Sequence, residues 1–228
     1  MANIAFFGLG AMGAPIANNL TSEGHHLAVF DTNPQACSRI SGPHVRIGNN
    51  PADTAQGCDF VITLLPTSSE VKQVICGPEG AIRASTKNTV FIDMSTVNPA
   101  KPPELALRVQ AVGAAYLECP VGGSIGPAKE GKLLGFVGGN AADLAKVQAL
   151  LEHLCKRVEH VGTYGAGSTM KMAVNLPLMV YWQTLGEALS LIDHLKLDPQ
   201  RVVDILSESS GGPNMLKVRG PLLVQALG

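Results

Sequence analysis

A short, mostly apolar run, Asn3-Ile4-Ala5-Phe6-Phe7, breaks into Gly8-Leu9-Gly10-Ala11-Met12-Gly13. Residues 12–20 carry a helical pattern with Gly24 just beyond it, and a second apolar run over 27–30 ends in an acid, Asp31. A G-x-G-x-x-G loop between a strand and a helix, with an acid closing the next strand, is the pattern of a βαβ unit that holds a dinucleotide. Each glycine has its own reason. Gly8 permits the tight turn, Gly10 lets the backbone approach a pyrophosphate, and Gly13 lets the helix pack on the strand. Ala11 and Met12 lead into the helix, whose free N–H groups and positive dipole end face that pyrophosphate. Asp31 is placed to accept hydrogen bonds from the adenosine ribose, and its charge would repel a 2′-phosphate. The expected cofactor is therefore NAD, with NADP disfavoured. The plainer alternative is a βαβ unit whose glycine-rich turn holds nothing.

After Asp31, short apolar runs and helix-length segments go on alternating. Strands are expected over 45–47, 60–64, 89–93, 115–118, 133–137 and 157–161. Between them lie helical segments over 34–40, 101–112 and 141–154, one opened by Asn50-Pro51, and one carrying Val71, Val74 and Ile75 with Ser68 or Ser69 as cap. Such alternation predicts an α/β fold, a Rossmann-type, doubly wound and mostly parallel sheet. The pattern changes at Gly162-Thr163-Tyr164-Gly165-Ala166-Gly167. Beyond it no strand is expected. Residues 168–195 read as one long helix, 198–207 as a second with Pro199 in its first turn, and 215–227 as a third that Gly220-Pro221 should break or kink. The expected division is a dinucleotide-binding domain over 1–162 and an all-α C-terminal part over 163–228.

Bulk properties narrow the classes. A net charge of −1 gives no electrostatic case for nucleic acid or a membrane surface as partner. Five cysteines at 37, 58, 76, 119 and 155, never in C-x-x-C spacing, argue against a disulfide framework or a metal site and for a reducing, cytoplasmic setting. With the first strand beginning at Asn3, no targeting peptide is expected from this sequence.

Ligands of a parallel sheet bind at the carboxyl ends of its strands. Ser95 and Thr96, after the strand ending at Asp93, can hydrogen-bond a ligand, or one of them can cap the helix that follows Pro99. Gly122-Gly123-Ser124 offers consecutive N–H groups, a nest for a carboxylate or else a flexible turn. Lys171 lies one turn into the long helix among Met170, Met172, Ala173 and Val174. Apolar surroundings disfavour the ammonium and lower the pKa, as a proton carrier near neutral pH requires. Asn175 falls at i+4 on the same helix face. The competing reading of Lys171 is a solvated side chain. The long helix is apolar nearly all round, with Leu178, Met179, Tyr181, Trp182 and Leu185 beside the methionines. Part of its burial is expected from a second subunit, giving a homo-oligomer, a dimer or tetramer.

Four motifs together, Gly8 to Pro15 with Asn19-Leu20, Asp93-Met94-Ser95-Thr96, Cys119 to Ser124, and Gly165-Ala166-Gly167 leading to Lys171 and Asn175, resemble the β-hydroxyacid dehydrogenases. The resemblance implies hydride exchange between NAD(P) and a small 3-hydroxy acid or its semialdehyde, with Lys171 as general acid/base. It also implies that Thr96 and Leu65-Pro66 touch the cofactor, and that residues 122–124 and Asn175 hold the substrate. The family's usual substrate loop reads Pro-Val-Ser-Gly-Gly, whereas here Ser124 follows the glycines, as in the branch containing sulfolactaldehyde reductase. Gly123 lacks the guanidinium that branch carries, which points to a carboxylate rather than a sulfonate. Leu176 and Pro177 follow Asn175 where the family has a second asparagine, and Pro177 is expected to kink the helix. Members of the family also run longer, with a further Lys and Asp that close over the cofactor. Two other readings remain open from the sequence: an NADP-dependent carbonyl or imine reductase, and a dinucleotide-binding module without catalysis.

Overall fold

The computed structural model describes residues 1–227, the side chains of 214–218 and 227 excepted. The elements, in chain order, are β1 (Asn3–Phe7), α1 (Gly13–Ser22), β2 (His26–Phe30), α2 (Pro34–Cys37), β3 (Val45–Ile47), α3 (Pro51–Ala55), β4 (Phe60–Thr63), α4 (Ser68–Cys76), β5 (Val90–Asp93), α5 (Lys101–Ala111), β6 (Ala115–Glu118), β7 (Val121–Gly122), α6 (Ile125–Lys129), β8 (Leu133–Gly139), α7 (Ala141–Glu152), β9 (Cys155–Gly162), α8 (Ala166–Ile192), α9 (Pro199–Glu208) and α10 (Asn214–Leu227). Two compact units divide between Asn175 and Leu176, so the first unit includes the start of α8.

Nine strands form one sheet in the order β3-β2-β1-β4-β5-β6-β8-β7, with β9 on β8. The first six are parallel, so the strand order reverses between β1 and β4. That reversal is where a doubly wound sheet opens a crevice for a ligand, and the glycine loop sits there. Beyond β6 the sheet departs from expectation. β8 runs antiparallel to β6, and β7, a two-residue strand inside what reads as a loop, pairs antiparallel with β8.

Side-chain alternation divides the core between the two faces of the sheet. Phe6, Ile62, Ile92 and Leu117 pack on one face with α1 and α7. Their chain neighbours Phe7, Val61, Phe91 and Tyr116 pack on the other with α4 and α5. Caps set the helix starts. Asn50 accepts from the Asp53 amide at 2.8 Å, with Pro51 at the first position. For α4 the cap is Thr67 rather than Ser68 or Ser69: Thr67 is extended, and its hydroxyl accepts the Glu70 amide at 3.2 Å and donates to the Glu70 carboxylate at 2.9 Å.

Neither proline ends its helix, so of the break or kink expected at Gly220-Pro221 the break does not occur. α8 stays helical through Pro177 and α10 through Pro221. A proline in a helix removes one N–H donor, and both helices tolerate that loss without ending. Leu185 is buried, yet α8 leaves Leu176 at 65%, Met179 at 67% and Leu191 at 76% exposure. Among the described residues no helix is long and apolar enough to cross a membrane. Among the same residues, no group of three or more His, Cys, Asp or Glu is placed to hold a metal ion.

Candidate dinucleotide cleft and lysine helix

Gly8 closes β1 with φ +93°, in the left-handed region, and a Cβ there would collide with the Leu64 carbonyl. A Cβ on Gly13 would collide with the carbonyl of Gly8, so α1 lies directly on the turn. Gly10 differs, because nothing lies within 4 Å of where its Cβ would be. Its bare backbone faces open space. The start of α1 has no side-chain cap and no acid in its first turn; α5 and α6 also start without a side-chain cap, whereas asparagine or threonine caps α2, α3, α4 and α7. An uncapped ten-residue helix end behind a bare glycine fits a pyrophosphate.

Asp31 holds this loop as well as facing the cleft. One carboxylate oxygen accepts the Leu9 amide at 2.7 Å and the other the Asn33 amide at 2.8 Å. Gly8, Gly10, Ala11, Met12, Gly13, Asp31, Leu65, Pro66 and Thr96 line one cleft of about 590 Å³. Phe30, Thr32 and, from α4, Glu70, Gln73 and Val74 complete its walls. The α4 residues were not singled out from the sequence; their only signal is their place on the helix after the Leu65-Pro66 turn.

Ser95 is not open to a ligand. It is 1% exposed, and its hydroxyl accepts the Leu65 amide at 2.9 Å. Nor does Ser95 or Thr96 cap the helix after Pro99, which starts without a side-chain cap; Asn98 closes a turn ahead of it by accepting the Ala100 amide at 2.9 Å. Thr96 alone of the pair faces the cleft.

Behind Ser95 lies Asp93, also 1% exposed. It accepts the Thr63 hydroxyl at 2.9 Å, the Ser95 amide at 3.0 Å and the Tyr116 hydroxyl at 3.3 Å. Burial pushes its carboxyl up from 3.8 to about 6 against those hydrogen bonds. A carboxyl whose folded value lies above its unfolded one stabilises the fold while protonated. That contribution is complete below the unfolded value and is lost as pH rises through about 6. The shift is worth about 3 kcal/mol at most. Asp93→Asn keeps the shape and the acceptor oxygen. It is expected to flatten the fall in stability over this window and to raise Tm at neutral pH, read from melts at several pH values. A lower Tm at neutral pH, with no flattening of the fall, would show that the bonds to the ionised carboxylate outweigh its burial cost.

The glycine run beyond β6 is only partly open. Gly122 is buried in β7 opposite Leu134, so exposure begins at Gly123, whose φ is +135°, and Ser124, which precedes α6. The start of α8 lies against β8 at Gly167 and against the Pro99 carbonyl at Gly165, and Lys171 follows one turn after Gly167. Burial alone holds the Lys171 ammonium below the usual lysine range, and among the described residues no carboxylate pairs with it. Asn175, one turn on, is half-buried. Neither these two nor residues 122–124 line the cleft of the glycine loop.

Comparison with known proteins agrees with this layout. Residues 3–162 match the model described as the NAD binding domain of 6-phosphogluconate dehydrogenase. Residues 165–226 match that described as NAD-binding of NADP-dependent 3-hydroxyisobutyrate dehydrogenase. The chain is 36% identical to the mitochondrial 3-hydroxyisobutyrate dehydrogenase of Homo sapiens over 91% of its own length and 62% of the relative's. With the 3-hydroxyisobutyrate dehydrogenase of Pseudomonas aeruginosa it shares 33% identity over 97% of its own length and 74% of the relative's. The chain belongs to the β-hydroxyacid dehydrogenase family. A solved structure of the 3-hydroxyisobutyrate dehydrogenase of Mycobacterium tuberculosis, with L-serine, superposes with a TM-score of 0.79 at 31% identity, covering 93% of this chain and 72% of that one. As a family member the chain has a nicotinamide-dinucleotide-binding domain of Rossmann type, and it spans about three fifths of the length of the mitochondrial relatives.

Proposed function

We propose that the chain carries the cofactor site and proton carrier of an NAD-dependent dehydrogenase that interconverts a small 3-hydroxy acid, of the 3-hydroxyisobutyrate type, and its semialdehyde. The observation that carries the reading is one chain combining the Asp31-pinned glycine cleft with a half-buried Lys171 whose ammonium burial disfavours. The names of the relatives support the substrate class. When bound, the nicotinamide exchanges a hydride with the carbon that bears the hydroxyl. Lys171 takes the hydroxyl proton at Nζ during oxidation and returns it to the aldehyde oxygen during reduction. Asn175, one turn along α8, orients the same oxygen, while the amides at Gly123 and Ser124 receive the acid's carboxylate. Asp31 accepts from the ribose and selects NAD. Incubation with NAD and a panel of hydroxy acids that includes 3-hydroxyisobutyrate tests this: absorbance at 340 nm should rise. No change with any acid, alongside tight NADH binding, would favour a non-catalytic module.

The exposed Leu176, Met179 and Leu191 of α8 support a homo-oligomer in which a second copy covers them. Light scattering should read at least twice the 23.8 kDa of the chain; a monomer would contradict it. The free cysteines support a reducing compartment, which we take to be the cytoplasm.

A further inference from the structure

Glu118, the last residue of β6, is fully buried, and its carboxylate meets the first turn of α8. Oε1 accepts the Gly165 amide at 2.5 Å and the Gly167 amide at 3.0 Å. Oε2 accepts the Ser168 amide at 3.1 Å and the Ser168 hydroxyl. Glycines make the slot. A Cβ on Gly138 would collide with Oε1, and one on Gly167 would collide with the Phe136 carbonyl and approach the Glu118 carboxyl carbon to 3.2 Å. A buried carboxylate is costly to desolvate unless its acceptor sites are filled. Here four donors, all from residues 165–168, fill them.

The cost has a counterpart in position. α2, α3, α4, α7 and α9 are capped by their own preceding residue, a local bond that leaves the helix free to sit where packing puts it. α8 takes its cap from a strand 47 to 50 residues earlier in the chain. Lys171 follows Ser168 by three residues, about 4.5 Å along the helix axis. In the other direction, Glu118 leads through Cys119-Pro120 into β7 and the Gly123-Ser124 turn. One side chain thus joins the strand feeding the proposed substrate turn to the helix bearing the proposed proton carrier.

We infer that Glu118 is the positioning residue for Lys171, its carboxylate fixing the first turn of α8 to the end of β6 so that Nζ is held in register with the Gly123-Ser124 turn. This rests on the reading of Lys171 as proton carrier. Glu118→Gln keeps the volume, but whichever way the amide turns, its NH₂ meets at least one backbone N–H. The first turn of α8 is then released. An error of about 1 Å in a reacting group costs about 100-fold in rate.

The full chain is compared with Glu118→Gln and Ser168→Ala. NADH titration counts competent sites, the rate per competent site is measured with NAD and 3-hydroxyisobutyrate, and hydrogen exchange is followed over residues 163–171. For Glu118→Gln the expected results are an NADH Kd within twofold of the parent and kcat per competent site about 100-fold lower. Exchange over 163–171 should be at least tenfold faster, with β1 and α1 unchanged. A merely structural role would lower Tm and the number of sites but leave the rate per site alone, and a rate within threefold of the parent overturns the inference. If Glu118→Gln does not fold, Ser168→Ala decides, since it removes one of the four donors. A severalfold lower rate and faster exchange support the inference; parental values of both overturn it. The exchange arm needs no turnover. Lys171→Ala, run alongside, separates the two readings. Full activity in that variant sinks the proton-carrier reading, whereas an inactive Lys171→Ala beside a fully active Glu118→Gln sinks only the positioning role.

Discussion

Lys171→Ala is expected to lower kcat about a thousandfold while NADH binds within twofold of the parent. General acid/base catalysis contributes about 10²–10⁴ in rate, and the side chain lies outside the cleft that the glycine loop forms. Binding and chemistry should therefore separate. Burial is what suits the group to the task, since it disfavours the ammonium and makes the free amine available at lower pH than in an ordinary lysine. Oxidation of the hydroxy acid should speed up as pH rises through that lowered value, and reduction of the aldehyde should slow down. Lys171→Arg should not rescue, because a guanidinium keeps its proton throughout. Stopped-flow rates with a fluorescence titration of NADH measure both halves. Weakened NADH binding with turnover retained would remove Lys171 from the chemistry.

Asp31→Asn is expected to raise the Kd for NADH at least tenfold and to cut the preference for NADH over NADPH about 100-fold. Two effects combine. The carboxylate grips the Leu9 and Asn33 amides with separate oxygens, and a carboxamide has an oxygen for only one of them. Hydrogen bonds to a charged acceptor are worth about 1.5–3 kcal/mol each, so loss at the loop and at the ribose easily reaches tenfold. Removing the charge also removes the repulsion toward a 2′-phosphate, although Asp31 is partly exposed and solvent screens that term. Isothermal titration with the two nucleotides reads the ratio. An unchanged preference would mean that discrimination lies elsewhere in the cleft, with Thr32 the next residue to test.

The glycine loop and Asp31 were readable because every requirement on them is local: a tight turn, a bare backbone and an acid at a strand end within one βαβ unit. The parallel strands were readable for the same reason, as short apolar runs between helical segments. β7 was not, because two residues have no periodicity. Its pairing depends on β8 folding back antiparallel, which is a property of the sheet and not of the segment. Ser95 shows another limit. Its hydroxyl chemistry suits a ligand equally well, and only the tertiary structure commits it to the Leu65 amide. Glu118 shows the largest. A carboxylate ending the apolar run Ala115-Tyr116-Leu117 is visible as an oddity, like Asp93 one strand earlier, but its partners lie about fifty residues away and are mostly backbone N–H groups. Backbone donors leave no trace in side-chain identity, apart from the glycines that clear their path.

The three glycines of the loop answer to different demands. Gly8 and Gly13 are required by the polypeptide itself, since a methyl on either would strike the chain's own carbonyls. Gly10 meets no such constraint from within, since nothing lies within 4 Å of where its Cβ would be; on the proposed reading its bareness serves the nucleotide. A lineage that abandoned the nucleotide would still have to keep the first and third glycines in order to fold, while the middle one would be free to drift. The middle position is therefore where loss of the ligand would first be written into the sequence.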